Sequence, residues 1–316
     1  MTDVFLTVDT ELSMSGTRVD RAWVREALDR DVFGRTRRGD YGLGFQLRLL
    51  REAGLNATFF VEALSASAVG LDSLREIVDA VLGQGLEVQL HVHTEWLARM
   101  ERSPLPGRVG QHLWQFNEDE QATLISVAKD NLARAGAEGT LAFRAGNYGA
   151  DRATLRALAR NGIAFDTSHN ATAADSRIGL DPEASGPSLV EGVWELPVTI
   201  FEDWPRHRRH AQLTAVSYAE LAAMLDQAYA AGRSTFVVVS HGFELLNQRR
   251  DAPDPTMLRR FERLCRLLAD ARSRFETRRF DSYEPKESPR GVAALRSPVA
   301  RTALRYAEQA LRRRHG

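Results

Sequence analysis

The sequence predicts an α/β barrel, and three observations carry that prediction. Short β-rich runs alternate with amphipathic helical stretches, as in βα units around a mostly parallel sheet. The strand candidates number seven. Nearly every one ends in a side chain able to do chemistry, and in such barrels the C-terminal strand ends converge on one face.

Taken in order, the first strand candidate, Val4 to Val8, is followed by Asp9 and Glu11. A helix from Tyr41 to Ala53, with Gly54 at its C-terminal cap, leads to the second strand, Ala57 to Val61. Leu74 to Leu82, with Gly83 as cap, leads to the third, Leu86 to Val92, which contains His91 and stops before His93. Asn117 and Glu120 are spaced as a capping box for the next helix. The fourth strand, Leu141 to Arg144, follows it. Arg152 to Asn161, capped by Gly162, precedes the fifth strand, Ala164 to Asp166, and Val193 to Pro197 makes the sixth. A second capping box, Ser217 with Glu220, opens a helix over Tyr218 to Ala231 that Gly232 closes. Phe236 to Ser240 is the seventh strand, and His241 follows it.

Composition excludes several classes. With 43% hydrophobic and 27% charged residues the chain is expected to be soluble and globular. Its 42 basic side chains balance 42 acidic ones, which argues against a nucleic-acid partner. The single cysteine, Cys265, cannot form an intramolecular disulfide and fits a buried helical position. No secretory leader is evident, so a cytoplasmic location is expected. No run approaches the ~18 apolar residues of a membrane span. Residues 1–284 are read as the barrel and 285–316 as a linker with a helix from Pro298 to Arg314. In this tail Lys286, Arg290, Arg296, Arg301, Arg305, Arg312, Arg313 and Arg314 face only Glu287 and Glu308, which makes it a candidate for peripheral contact with an anionic surface. The favoured reading is a helix packed on the barrel exterior by Ala303, Leu304, Ala307 and Leu311.

Residues i and i+2 of a strand project from one face, so His91 and His93 can reach one ion. Imidazole suits zinc and similar metals, and a carboxylate commonly completes a three-ligand catalytic set. Asp9 and Glu11 share a face by the same argument, so one can bind metal while the other takes a proton.

The succession Thr7-Val8-Asp9-Thr10-Glu11, His91-Val92-His93, Arg144-Ala145-Gly146-Asn147-Tyr148 and Ser240-His241 resembles the ordered motifs of the polysaccharide deacetylases, carbohydrate esterase family 4, over roughly residues 1 to 280. The resemblance implies a distorted (β/α)7 barrel, a single divalent metal ion, most simply zinc, and hydrolysis of a non-peptide amide bond. It assigns Asp9 as catalytic base, Arg144 as the residue orienting it, the Tyr148 backbone amide as oxyanion donor and His241 as general acid. Trp194, Pro197 and Val239 match an apolar wall for the acyl methyl. Asp166 is read either as a contact to substrate hydroxyls or as a cap for its own loop. His207 and His210, in a basic run from Arg206 to Arg209, are read as a solvated loop with some capacity for an anionic group.

Two features depart from the family pattern. Thr10 follows Asp9 where many members place adjacent aspartates, so Glu11 is expected to supply the metal carboxylate. Glu95 stands four after His91, where many members place the second histidine, so the third ligand is His93 or Glu95. His93 is preferred on strand geometry and because a neutral imidazole leaves the ion more Lewis acidic. The expected substrate is an N-acetylated amino sugar or glycan precursor. An amidohydrolase or phosphoesterase-like metallohydrolase, and a sugar-binding barrel without catalysis, are the rival readings.

Overall fold

Alternation of inward and outward side chains builds the barrel strand by strand. In the computed structural model, which describes residues 1–13, 19–181, 184–287 and 292–315, strand β1 (Thr2–Thr10) gives Val4, Leu6 and Val8 to the core shared with the helices and Phe5 to the barrel interior. Strands β2 (Thr58–Glu62), β3 (Glu87–Val92), β4 (Ala142–Ala145) and β5 (Phe165–Asp166) follow in parallel. Next come β6 (Ser188–Val190), β7 (Val193–Glu195), the hairpin β8 (Ile200–Trp204) and β9 (His207–His210), then β10 (Thr235–His241) and β11 (Phe275–Thr277).

The sheet order is β10-β1-β2-β3-β4-β5-β7-β6, with β11 also on β1. The parallel series from β10 to β7 uses the seven runs expected from sequence, with ends moved by one or two residues. Between β7 and β10 the ladder is replaced by loop segments: the Thr199 amide donates to the Val237 carbonyl at 3.4 Å, and Leu213 to Val239 at 2.9 Å. That stitched seam is the distortion of the barrel. The interior is plugged by Phe5, Phe60, Phe165, Leu196, Val237 and Phe280.

Helices α1 (Leu43–Glu52), α2 (Leu71–Leu82), α3 (Glu118–Arg134), α4 (Arg152–Arg160), α5 (Tyr218–Ala230) and α6 (Pro255–Asp270) cover the outside. Both predicted capping boxes form, Asn117 with Glu120 and Ser217 with Glu220. Gly83 departs from expectation: it stays right-handed at φ −61°, and the left-handed turn falls at Gly85, φ 70°.

The last helix, α7 (Val299–His315), packs by a different face from the one expected. Ala303, Leu304 and Ala307 are exposed, whereas Thr302 and Arg305 are buried. Arg305 is ion-paired with Asp203 at 2.5 Å and with Glu220 at 3.1 Å, and Arg260 and Asp254 hold Glu308 and Arg312. Arg301, Arg305 and Arg312 are thus drawn onto the barrel, which lends no support to the expected peripheral anionic contact. Arg290 and the side chains of Leu311, Arg313 and Arg314 lie outside the described residues. No helix among the described residues is long and apolar enough to cross a membrane.

Candidate functional site

Parallel register sets the site. Asp9 lies opposite His241 on β10, Glu62 opposite His91, and His91 opposite Arg144. Polar side chains from five strands therefore crown the apolar plug. Arg144 is fully buried, stacked 4.6 Å over the Phe60 ring, and donates to Asp9 Oδ1 at 2.6 Å.

Glu11, His91 and His93 are the group among the described residues whose ligand atoms lie close enough together, within 4.8 Å, to hold a metal ion. Glu11 Oε2 is 3.3 Å from His91 Nε2 and 2.5 Å from His93 Nε2. His91 Nδ1 is 2.7 Å from the Arg144 carbonyl. A carbonyl only accepts, so Nδ1 carries the proton and Nε2 presents its lone pair to the cluster. The His93 Nδ1–H likewise donates to Glu95 at 3.2 Å, and Glu95 accepts from Asn147 Nδ2 at 2.9 Å. Glu95 thus sits behind His93 rather than in the triad.

Electrostatics agree with a cation-binding cluster. Burial opposes the Glu11 charge, but His93, His91 and His241 outweigh it and hold the carboxyl well below its usual range. Burial also opposes an imidazolium at His93, yet Glu11 and Glu95 raise it well above the ordinary histidine value. A proton on His93 here does for Glu11 what a metal cation would do. The donors, two imidazole nitrogens and one carboxylate, form a set suited to catalytic zinc.

His241 Nε2 stands 3.9 Å from Asp9 Oδ2, while its Nδ1–H donates to Glu244 at 2.9 Å. Burial works against its charge, but Glu244, Asp9 and Glu11 raise it to about 9. Phe243 stacks on the ring at 5.1 Å. His241 is 21% exposed and His93 15%, so the cluster opens to solvent at the strand ends.

The turn after β4 carries two consecutive left-handed non-glycine residues, Asn147 at φ 54° and Tyr148 at φ 56°, a strain of about 1–3 kcal/mol each. Gly146 must precede them because a Cβ there would lie 2.6 Å from the His93 ring. This packing ties the Tyr148 turn to the third member of the triad. Burial also raises the Tyr148 phenol.

Asp166 and Trp194 stand apart from this group. Asp166 is fully buried and accepts from the Ser168 hydroxyl at 2.6 Å, so it organises its own loop and is not presented to a substrate. Burial raises both Asp166 and its register partner Glu195; the Asp166 charge raises Glu195 further, well above the usual carboxylate range, while a hydrogen bond with Glu195 partly offsets the rise at Asp166. Trp194 packs against the interior apolar cluster, two strands beyond Arg144. Sequence reasoning missed Glu244, three after His241 on a 3-10 turn (Gly242–Leu245), and the buried Glu195. An acid one helical turn past a strand-end histidine was the available signal for Glu244. Nothing in sequence marked Glu195.

No protein-family model matches the chain, and a search of curated proteins finds no match. Solved structures do resemble it. A Mycobacterium smegmatis protein assigned as a polysaccharide deacetylase is 17% identical, with 87% of this chain and 86% of that one covered and a TM-score of 0.54. A 4-alpha-glucanotransferase from Thermococcus litoralis is 12% identical, covering 93% of this chain and 40% of the other at a TM-score of 0.50. A family 4 carbohydrate esterase from Streptomyces lividans is 16% identical, covering 94% and 98%, at 0.42. At such identities the likeness to the first of these establishes the fold alone, a distorted α/β barrel of the polysaccharide deacetylase type.

Proposed function

We propose that the protein is a metal-dependent hydrolase that removes an acetyl group from the nitrogen of an amino sugar or glycan precursor. The observation that carries this reading is the gathering of the Glu11, His91 and His93 cluster at the same strand ends as Asp9 and His241, which stand 3.9 Å apart. Glu11, His91 Nε2 and His93 Nε2 would hold one divalent ion, for which zinc is the first candidate. When bound, the ion supplies Lewis-acid activation of the acyl carbonyl and of the attacking water.

The chain's own groups do the rest. Asp9, fixed by Arg144 at 2.6 Å, removes the proton of the attacking water through Oδ2, the oxygen that faces His241. The Tyr148 backbone N–H, on the left-handed turn beside His93, is assigned to the developing oxyanion, a donor of a kind worth about 3 to 4 kcal/mol. His241 then gives its Nε2 proton to the departing nitrogen, completing the exchange of an amide bond for a carboxylate and an amine.

Metal analysis coupled to acetate release from a panel of N-acetylated sugars tests the proposal. About one ion per chain, lost in Glu11→Ala, together with acetate release, is the expected result. A chain that purifies without a stoichiometric ion and releases no acetate from any sugar ends this reading.

A further inference from the structure

Gln212 belongs to the segment that stitches the barrel seam. Its backbone bridges Val239 in parallel, with the Val239 amide donating to Ala211 and the Leu213 amide to Val239, each at 2.9 Å. Gln212 is thereby held two residues from His241 in register. Its Nε2 hydrogen bonds to Glu244 Oε1, the same oxygen that receives the His241 Nδ1–H, and the two nitrogens are 3.4 Å apart.

Hydrogen-bond direction fixes the remaining members. A carboxylate only accepts, so the amide must turn its NH2 to Glu244 and its Oε1 away. Oε1 then meets His210 Nε2 at 2.6 Å, and that nitrogen must carry a proton. His210 Nδ1 lies 2.9 Å from the Thr172 hydroxyl, which is itself 2.7 Å from Asn170 Oδ1. A neutral His210 takes the hydroxyl proton at Nδ1; a charged one donates there and Thr172 donates onward to Asn170. Both states keep Nε2–H on Gln212, so the amide cannot flip without opposing its oxygen to the Glu244 carboxylate.

We infer that Gln212 and His210, on and beside the basic hairpin, are positioning residues that hold Glu244, and through it His241, in place for proton donation to the leaving amine. The inference rests on the proposed hydrolase reading. Its physical basis is the chain His210, Gln212, Glu244, His241: His210 donates to the Gln212 carbonyl oxygen, and Gln212 and His241 both donate to one carboxylate oxygen of Glu244. The raised value of His241, about 9, is in keeping with a fixed Glu244, and Asp9 and Glu11 are the other charged groups that face it.

Gln212→Leu and His210→Phe test it, each with thermal unfolding as a check on the fold. Both are expected to lower kcat on the order of tenfold with little change in KM. In ¹⁵N-histidine NMR of the purified protein both should broaden or lose the Nδ1–H signal of His241 and shift its titration to lower pH. His210→Gln, which restores an N–H toward Gln212, should recover part of the loss. A folded Gln212→Leu or His210→Phe protein whose His241 tautomer and titration match wild type overturns the inference. The NMR readout decides even if the wild-type protein hydrolyses none of the amides offered, an outcome that would sink the hydrolase reading instead.

Discussion

Individual side chains carry the sharpest expectations. Asp9→Asn removes the base while keeping a partner for Arg144, and His241→Ala removes the acid. Each should lower amide hydrolysis by about 10²- to 10⁴-fold, with circular dichroism and melting temperature close to wild type. Because His241 must be protonated to act as acid, kcat/KM should fall as pH rises through about 9, the value to which its carboxylate neighbours raise it. Replacing the first of those neighbours, Glu244→Gln, should move that alkaline limb to lower pH, and a pH profile of both proteins checks it. Arg144 has two separable duties: its guanidinium holds Asp9, while its carbonyl fixes the His91 tautomer. Arg144→Met should therefore lose turnover and keep its metal, as elemental analysis can show. Much of this was legible in sequence, because Asp9, Glu11, the two histidines and His241 stand at strand ends where period-two geometry aims them. Glu244 was missed although its offset from His241 was a signal, and Gln212 was not legible, since it reaches the site from an irregular seam that no periodicity announces.

At the level of strands and helices, the most telling unit is the rung where β5 meets β7. Asp166 and Glu195 face each other in the register of a parallel ladder, both fully buried. Burial first, and the neighbouring acid second, raise Glu195 well above its ordinary value of 4.5. A folded state that holds a proton which the unfolded chain releases loses stability as pH rises above about 4.5. Glu195→Gln keeps a neutral hydrogen-bonding group there, so its melting temperature should decline less than that of wild type as pH is raised above that point. Equal slopes in paired melts would count against a proton held on Glu195. The strands themselves were predictable because apolar runs bounded by caps define them. The seam between β7 and β10 was not, since Thr199 and Leu213 are single hydrogen-bonding residues in loops.

The whole molecule is tied together by its last helix. Arg305 is buried between Asp203 and Glu220, and removing one member of a buried ionic network leaves charge without compensation, at about 3–5 kcal/mol. Arg305→Ala should cost that much in urea denaturation, and deletion of 298–316 at least as much. Sequence suggested the helix but misplaced its buried side, since an amphipathic stripe of alanine and leucine is the ordinary signal and here arginine packs inward instead.

The position of β1 has a temporal consequence. It is central in the finished sheet, but β10 covers one of its edges and β11 the start of the other, and both are made more than 220 residues later. While the nascent chain is incomplete, β1 can pair only with β2 and must present an open apolar edge, a template for pairing with the wrong partner. Expression of fragments ending before residue 235 should therefore depend on chaperones and yield aggregates, because the strand that bears Asp9 is made long before the strands that enclose it.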